Sequence, residues 1–424
     1  MSKYSLDLAL PAPASEGKLI LLGATVGALL SWVFFRIQIS GWGIIEIETV
    51  EVILYVGAIG AVSVLTVLRE GRQVICGSMA IVLGSVAMLL YWNALELFWF
   101  APQNNYFLIG GLVPSSDADS WLSGGWRLLE TGTLSEGDQR RPVNAALHAL
   151  RLYIAGSFQG SLMLGAVVCA AASLYAAYAL KSSLGWPGAA VFLVFSFWLI
   201  REHLPLAMTE VHGFIFGCLA FGCLWRAALT RSSLLFGLGL VLLSIGLNAR
   251  SGPFFVLPAL LFWGTMNLGV GKRLSLSALL VGTLAILSGF LVSTWFVWLW
   301  GSGESIQQAN FSLTLYGMAV GGKGWLQAFS DFPELFKNGF GSGREAEIAQ
   351  FLYAESLKEI ISKPERFIKY YLAELWEFIH LFLKYDLGVS RVAMVLAGCW
   401  ILARWRDRLA QMGILIFLGI LLSA

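Results

Sequence analysis

The chain has few charged side chains: Asp, Glu, Lys and Arg make up 13% of its 424 residues, whereas hydrophobic residues make up 58%. A soluble domain of this length could not bury so much apolar surface. The net charge of +2 comes with no basic tract, which argues against a nucleic-acid-binding surface. The composition therefore predicts an integral membrane protein.

Cysteine is also scarce, and the cysteines lack the paired spacing that holds a metal ion. They fall in or beside apolar segments, at Cys76, Cys169, Cys218, Cys223 and Cys399. Small polarisable residues in such segments are expected to serve in packing. The sequence thus gives no sign of a cysteine-based metal site.

Long apolar runs, by contrast, recur along the chain with the 17–25 residues or so that an α-helix needs to cross a bilayer. They predict an all-α fold, a polytopic transmembrane helical bundle of about eleven spans in a single membrane domain. The predicted spans are 18–37, 51–68, 75–100, 158–180, 187–201, 211–226, 233–249, 253–269, 275–300, 389–403 and 409–424.

Positive charge sets the expected orientation. The short basic connections are Arg69–Arg72, Lys181, Arg226–Arg231, Lys272–Arg273 and Arg404–Arg408. Placing all of them in the cytoplasm satisfies the positive-inside rule and puts the N-terminus inside. Four segments then lie together on the outer face, at 101–157, 201–210, 250–252 and 301–388. We expect a protein of the bacterial inner membrane.

The two ends of the chain carry further expectations. No cleavage-type signal follows Lys3 and Lys18, so we expect the first span to be retained. The last apolar run reaches Ala424 without a cap or a basic flank, a pattern consistent with a fragment of a longer protein.

Two segments of the outer loops have the pattern of helices that lie flat in the membrane interface. In the first, 141–155, Pro142 suits the first helical position, and a polar stripe opposes an apolar one. The polar stripe, which we expect to be solvated, is Asn144, His148 and Arg151, and the apolar stripe is Val143, Leu147, Leu150 and Ile154. The second, 365–385, sets Glu377, His380 and Lys384 against Trp376, Ile379 and Leu383.

An acidic pair, Asp117 and Asp119, follows a Pro-Ser-Ser turn in the first outer loop. Aspartates in this position commonly cap a helix through backbone hydrogen bonds. Capping accounts for one aspartate more readily than for two. Catalysis and cation binding therefore remain alternatives, and the pair permits a divalent cation as cofactor without requiring one.

Two further ionic residues lie where outer loops re-enter the membrane. Glu210 is placed either to start a helix or to act in a site, because a carboxylate is costly at mid-bilayer and less so at the interface. Arg250 sits in a tight turn between two spans. It is suited either to snorkel towards lipid headgroups or to grip a phosphate through two parallel hydrogen bonds. Arg201, Glu202 and His203 lie on the same side, where an ion pair between the first two is the simpler interpretation.

The order of these motifs resembles the class C glycosyltransferases, the superfamily of protein O-mannosyltransferases, lipid A aminoarabinose transferase and oligosaccharyltransferase catalytic subunits. The resemblance covers about 115–265. It is carried by Asp117-Ala118-Asp119-Ser120-Trp121, the run Gly124–Leu134, Arg140-Arg141-Pro142, Met208-Thr209-Glu210 and Asn248–Pro253. Here the acidic loop follows the third predicted span, whereas the family usually places it after the first.

The resemblance implies inverting transfer of a sugar from a polyprenyl-phosphate donor to an acceptor, which the sequence does not identify. It implies Asp117 as the catalytic acidic residue, with Asp119 as alternate. It further implies Glu210 as a second acidic residue of the site and Arg250 as the donor-phosphate ligand. Arg141, Arg201 and His203 are the remaining candidates for substrate binding.

Three other functions compete with this interpretation. A lipid or solute transporter would place ionisable groups or broken helices at mid-membrane, whereas here they collect at one face. An envelope polysaccharide polymerase or ligase would rely on outer-loop arginine and histidine, for which Arg201 and His203 are available. A non-catalytic membrane scaffold would need none of these residues.

Overall fold

A computed structural model describes residues 82–92, 94–95, 107–109, 113–114, 116–269, 274–301, 307–322, 324–337, 344–384, 398–399, 401 and 403–423. The predicted spans 18–37 and 51–68 lie outside the described residues, as do most of 389–403 and parts of 75–100. The described chain is all-α apart from one antiparallel ribbon, β1 (Phe107–Ile109) with β2 (Val113–Pro114).

The chain forms two compact units. The first comprises Met1–Ala118 and Ser157–Ala207, and the second comprises Asp119–Gly156 and Met208–Ala424. The helices named here, all within the described residues, are α1 (Val82–Trp92), α2 (Ser116–Thr131), α3 (Glu136–Gln139), α4 (Pro142–Ala155), α5 (Phe158–Ile200), α6 (Thr209–Thr230), α7 (Ser233–Ala249), α8 (Val256–Asn267), α9 (Leu276–Trp300), α10 (Asn310–Val320), α11 (Gln327–Asp331), α12 (Glu345–Ser362), α13 (Pro364–Lys384) and α14 (Arg408–Ser423).

In the first unit, α5 covers both predicted spans, 158–180 and 187–201, and is kinked between them. Gly185 has a φ of 72°, a left-handed conformation that glycine adopts without steric cost, and Pro187 follows inside the helical range. Residues of α1 pack against both halves of α5 around a core of Leu83, Ala87, Leu174, Ala177, Trp186, Ala189, Ala190 and Leu193.

Three described helices are long and apolar enough to span a membrane, namely α5, α6 and α9. Helices also form at the predicted spans 233–249, 253–269 and 409–424, but α7, α8 and α14 are shorter. In the second unit small residues let α6, α7 and α9 approach closely. A Cβ at Gly246 of α7 would lie 2.8 Å from the Cβ of Phe216, and Gly289 of α9 lies against Ser244. Close packing on small residues is typical of helices in membranes.

Helix α4 is amphipathic, but with its polar side inward, contrary to our expectation of a solvated polar stripe. Asn144, His148 and Arg151 are at most 7% exposed. By contrast, Leu150, Tyr153 and Ile154, which we call the apolar face, are 52%, 77% and 62% exposed. The polar stripe is buried because it finds hydrogen-bond partners on α6, described below. The apolar face then points away from the protein.

A small helical lobe, 307–362, contains α10, α11, α12 and two 3-10 turns, Gly324–Leu326 and Pro333–Phe336. Its core is Leu313, Tyr316, Ala328, Phe336, Ile348 and Leu352. Helix α12 is solvated on one side and buried on the other. Helix α13 then matches the predicted segment 365–385 and exposes Ile368, Leu372 and Trp376 at helical spacing.

Candidate functional site: an arginine cluster at the ends of three helices

The centre of the candidate site is an ion pair between Glu210 and Arg250. Helix α6 begins at Thr209, which puts Glu210 in its first turn, where a carboxylate is favoured by the helix dipole. Helix α7 ends at Ala249, so Arg250 follows it directly. The side chains meet with Arg250 Nη2 3.1 Å from Glu210 Oε1, and they are 40% and 22% exposed respectively. This half-buried pair is accessible to a ligand.

Arg141, at the start of α4, joins the same group. Its Nη1 donates to Thr209 Oγ1 at 3.3 Å, and that hydroxyl donates to Glu210 Oε2 at 3.3 Å. The Arg141 guanidinium also lies 5.1 Å from the centre of the Trp121 ring, a cation–π distance. We call Arg141, Thr209, Glu210 and Arg250 the arginine cluster. With two arginines and one carboxylate it carries a net charge of +1, which favours an anionic ligand.

The turn that bears Arg250 packs directly on α6 at Gly213. A Cβ built on Gly213 would lie 2.9 Å from the Cβ of Arg250, closer than real Cβ atoms come. One turn further along α6, a Cβ at Gly217 would meet nothing within 4 Å. Gly213 therefore lets the Arg250 backbone lie against α6, beside Glu210.

Helix α4 is fixed on α6 by what we call the buried histidine network, Asn144, His148, Arg151 and His212. Arg151 Nη1 lies 3.2 Å from His212 Nε2, and His212 Nδ1 lies 2.7 Å from Asn144 Oδ1. Because arginine can only donate, Nε2 accepts, and the neutral His212 ring carries its proton on Nδ1 and donates it to Asn144. The His148 ring lies edge to face on His212, with centroids 4.6 Å apart.

The network is buried, with His148 1% and His212 2% exposed. Burial lowers the pKa of His148 well below its ordinary value, and the Arg151 charge lowers it further. A neutral His148 beside Arg151 avoids placing two positive charges together. The network thereby holds α4, and with it Arg141, at a defined position on α6.

The glycine pair of α2, Gly124 and Gly125, lets that helix pack on its neighbours. A Cβ at Gly125 would lie 2.7 Å from the Cβ of His148, and a Cβ at Gly124 would meet the Asp138 carboxylate. Asp138 caps α3 together with Ser135 and accepts from Arg127 Nη1 at 2.7 Å. The close approach of α2 to α4 places Trp121 under Arg141.

Asp117 and Asp119 both lie exposed in the first turns of α2. Asp119 accepts from the Ser123 hydroxyl at 3.1 Å. Two residues apart on a helix is a rotation of about 200°, so the two carboxylates point to opposite sides. Helical geometry therefore gives no support to one ion held by this pair. Among the described residues no group of three or more His, Cys, Asp or Glu could hold a metal ion.

Asp117, Arg201 and His203 belong to the first unit. Arg201 Nη2 lies 3.9 Å from Glu202 Oε1, and Glu202 is 76% exposed, so the expected ion pair exists but is long and solvated. His203 Nδ1 is buried without a hydrogen-bond partner among the described residues. The convergence of these three residues with the arginine cluster stays a prediction. Of the sequence candidates, the structure brings together Arg141, Glu210 and Arg250.

Sequence reasoning missed Thr209, whose hydroxyl links Arg141 to Glu210. It also missed the inward direction of the α4 polar stripe. The sequence did hold a signal for the buried polar stripe: His212 lies one turn inside an apolar segment, where a histidine needs polar neighbours. Nothing in the sequence pointed to Thr209 except its position next to Glu210.

Comparison of the whole chain with protein-family models, with curated proteins and with solved structures finds no match. The residues and geometry described above therefore carry the functional argument alone.

Proposed function

We propose that this protein is a membrane glycosyltransferase that moves a sugar from a polyprenyl-phosphate donor to an acceptor on the outer face of a bacterial inner membrane. The proposal includes the full bundle of about eleven spans, with the N-terminus in the cytoplasm. The observation that carries it is the arginine cluster: two guanidinium groups joined through Thr209 and Glu210 at the ends of apolar helices.

The chemistry of the cluster suits a phosphate. Guanidinium groups donate paired hydrogen bonds to phosphate oxygens, and such charge-assisted bonds are about twice as strong as neutral ones. Glu210 pairs with Arg250 when no donor is bound, and a phosphodiester would replace Glu210 as the partner of Arg250. Both side chains are partly exposed, so solvent screens their attraction, and a phosphate oxygen that replaces Glu210 keeps a charge-assisted hydrogen bond to Arg250.

The apolar face of α4 supports a donor with a lipid tail. Leu150, Tyr153 and Ile154 lie exposed on the same helix that begins beside Arg141. An isoprenoid chain lying along that face would bury apolar area on both surfaces, at about 25 cal/mol per Å². The donor phosphate would then lie at the N-terminal end of α4, near Arg141 and Arg250.

In the proposed reaction the acceptor hydroxyl attacks the anomeric carbon while Asp117 takes its proton. The bond from that carbon to the phosphate oxygen breaks, and polyprenyl phosphate leaves with the electron pair. Arg141 and Arg250 stabilise the charge that develops on the leaving phosphate. Attack from the side opposite the leaving group inverts the anomeric carbon. Asp117 has this role by the resemblance, and its exposed position in α2 leaves its carboxylate accessible.

Binding of polyprenyl phosphate, the product, tests the proposal without knowledge of sugar or acceptor. Purified protein in nanodiscs should bind a short-chain polyprenyl phosphate more tightly than the matching polyprenol. Arg250→Ala and Arg141→Ala should each weaken the binding about tenfold or more, since hydrogen bonds between charged groups contribute about 1.5–3 kcal/mol.

Arg344→Ala is the matched control, because Arg344 forms an exposed ion pair with Glu347 in the helical lobe. That variant should bind as the wild type does. Equal affinity of the wild-type protein for the phosphate and the alcohol would refute the proposal.

A further inference from the structure

Arg140 lies next to Arg141 in sequence, directly after α3, and it contacts the helical lobe. Its Nη1 donates to Asn310 Oδ1 at 2.9 Å, and its backbone carbonyl accepts from Gln308 N at 3.4 Å. Its Nε lies 3.3 Å from Glu345 Oε2, in the first turn of α12. One residue thus touches α10 and α12, two of the helices that contribute to the core of the lobe.

The lobe reaches the arginine cluster through Gln308. The Ser251 hydroxyl donates to Gln308 Oε1, and Ser251 directly follows Arg250. Tyr353 of α12 donates to the Gln308 carbonyl at 3.4 Å. Movement of the lobe would therefore change the surroundings of Arg250.

Glu345 is the unusual member of this contact, because it is an acidic residue with a 4% exposed side chain. Neither carboxylate oxygen has a hydrogen-bond partner among the described residues. The hydrogen bonds that Arg140 donates here go to other acceptors, from Nε to the Gly137 carbonyl and from Nη1 to Asn310. A buried carboxylate anion needs several donors, whereas a neutral carboxylic acid needs fewer and can itself donate.

The charges around Glu345 also oppose its ionisation. Glu136 and Asp138 of α3 are close enough to Glu345 to act on its charge, as Arg140 is. Arg127 of α2 forms an ion pair with Asp138. Burial raises the pKa of Glu345, the Arg140 charge lowers it, and the charges of Glu136 and Asp138 raise it. The N-terminal position in α12 favours the anion, yet the net direction is upward.

We propose that Arg140 and Glu345 form a proton-controlled latch. With Glu345 protonated, the helical lobe is held against the segment that carries Arg140. Loss of that proton releases the lobe and changes access to the arginine cluster. The latch does not depend on the proposed transfer reaction. It concerns where the lobe lies, whatever reaction the arginine cluster serves.

The direction in which the latch responds to pH follows from the proton affinities of its closed and open forms. The closed form holds the proton more tightly than the open form, so the stabilisation of the closed form by this proton is fully present below the ordinary carboxyl pKa and is lost as the pH rises through the raised pKa of Glu345. Between these two values the ratio of closed to open molecules should fall by up to about tenfold per pH unit. An ordinary ion pair between Arg140 and Glu345 would behave in the opposite way and open at low pH.

Hydrogen exchange of the full-length protein in nanodiscs, followed by mass spectrometry between pH 5 and 9, measures the latch. After correction for intrinsic exchange rates, the amides of 307–316 and 345–352 should lose protection as the pH rises. Glu345→Gln should keep these segments protected throughout, because the amide resembles the protonated acid. Glu347→Gln, two residues away on the same helix in an exposed ion pair, should behave as the wild type.

Parallel pH profiles in the wild type and Glu345→Gln would overturn the latch, as would protection that falls at low pH. Glu136→Gln gives a second test should Glu345→Gln fail to fold. It removes a neighbouring negative charge, so the loss of protection should shift to lower pH, and an unchanged midpoint would contradict the proposal. None of these outcomes depends on binding of a lipid phosphate.

Discussion

Arg250 lies 3.1 Å from Glu210, and the two residues are contributed by the end of one apolar helix and the start of another. They lie 40 positions apart in the sequence, and the antiparallel course of α6 and α7 brings them together. A cation and an anion that neutralise each other while half exposed can exchange one partner for a ligand.

Glu210→Gln should raise the affinity for polyprenyl phosphate, because Arg250 then loses its competing carboxylate. A half-exposed ion pair contributes about 0–1 kcal/mol, so the gain should be at most about fivefold. Transfer of sugar should fall in the same variant if Glu210 assists catalysis. Equilibrium binding and turnover, measured side by side, separate the two roles, and weaker phosphate binding would contradict the competition.

Gly213→Ala should weaken phosphate binding without unfolding the protein. The added Cβ would lie 2.9 Å from that of Arg250 and push its backbone from α6, whereas Gly217→Ala meets nothing. Overpacking typically costs about 1–3 kcal/mol, part of which would appear as lost affinity. Binding isotherms of both variants test this, and equal affinities would show that the position of Arg250 is unimportant.

His212→Phe should reduce the free energy of unfolding by about 2–4 kcal/mol. The ring volume is kept, but Asn144 Oδ1 loses its donor in a buried site, and an unsatisfied buried group costs about 1–3 kcal/mol. Arg151 loses its contact with the His212 ring as well. Chemical unfolding in detergent measures the loss. A neutral effect would mean that the network does not hold α4.

Stability should fall as the pH drops below about 6.5, the ordinary histidine value. The pKa of His148 is lowered in the folded protein, so below about pH 6.5 the unfolded chain binds a proton at this histidine and the folded protein does not. Proton binding therefore favours the unfolded state as the pH falls. Replacing it in His148→Phe should remove this part of the pH dependence, whereas replacing the exposed His380 by Gln should not. Unfolding midpoints between pH 5 and 7.5 provide the comparison. Equal slopes in all three proteins would refute the assignment.

Asp117→Asn should abolish sugar transfer while leaving insertion, expression and polyprenyl-phosphate binding intact. Arg201→Ala should retain more transfer activity than Asp117→Asn, because the resemblance gives the catalytic role to Asp117 and not to Arg201. A reconstituted assay with a panel of polyprenyl-phosphate sugars measures both. The reverse result, with Arg201 essential and Asp117 dispensable, would favour a polysaccharide polymerase or ligase.

Several of the described helices were predictable from the sequence, since apolar length marks where α7 and α9 lie and Pro142 marks the start of α4. The start of α4 at Pro142 and the bounds of α7 coincide with the predicted residues. The side of α4 that is buried was not predictable, because an amphipathic pattern alone does not say whether water or lipid covers each face. The protein buries Asn144 against His212, and only the fold shows that this histidine is within reach.

The candidate site was predictable as a list of residues but not as an arrangement. Glu210 and Arg250 stand out because ionic residues are rare at the edges of apolar spans. Their pairing, and the link through Thr209 to Arg141, depend on how α4, α6 and α7 pack. Glu345 gave no signal, since an acidic residue at a helix start is ordinarily solvated.

An experimental structure of the protein with polyprenyl phosphate bound in a nanodisc tests the proposed phosphate site. We expect a phosphate within about 2.7–2.9 Å of the guanidinium nitrogens of both Arg141 and Arg250, with Glu210 displaced from Arg250. We also expect isoprenoid density along Leu150, Tyr153 and Ile154. A phosphate bound elsewhere, with the Glu210–Arg250 pair intact, would contradict the proposed site.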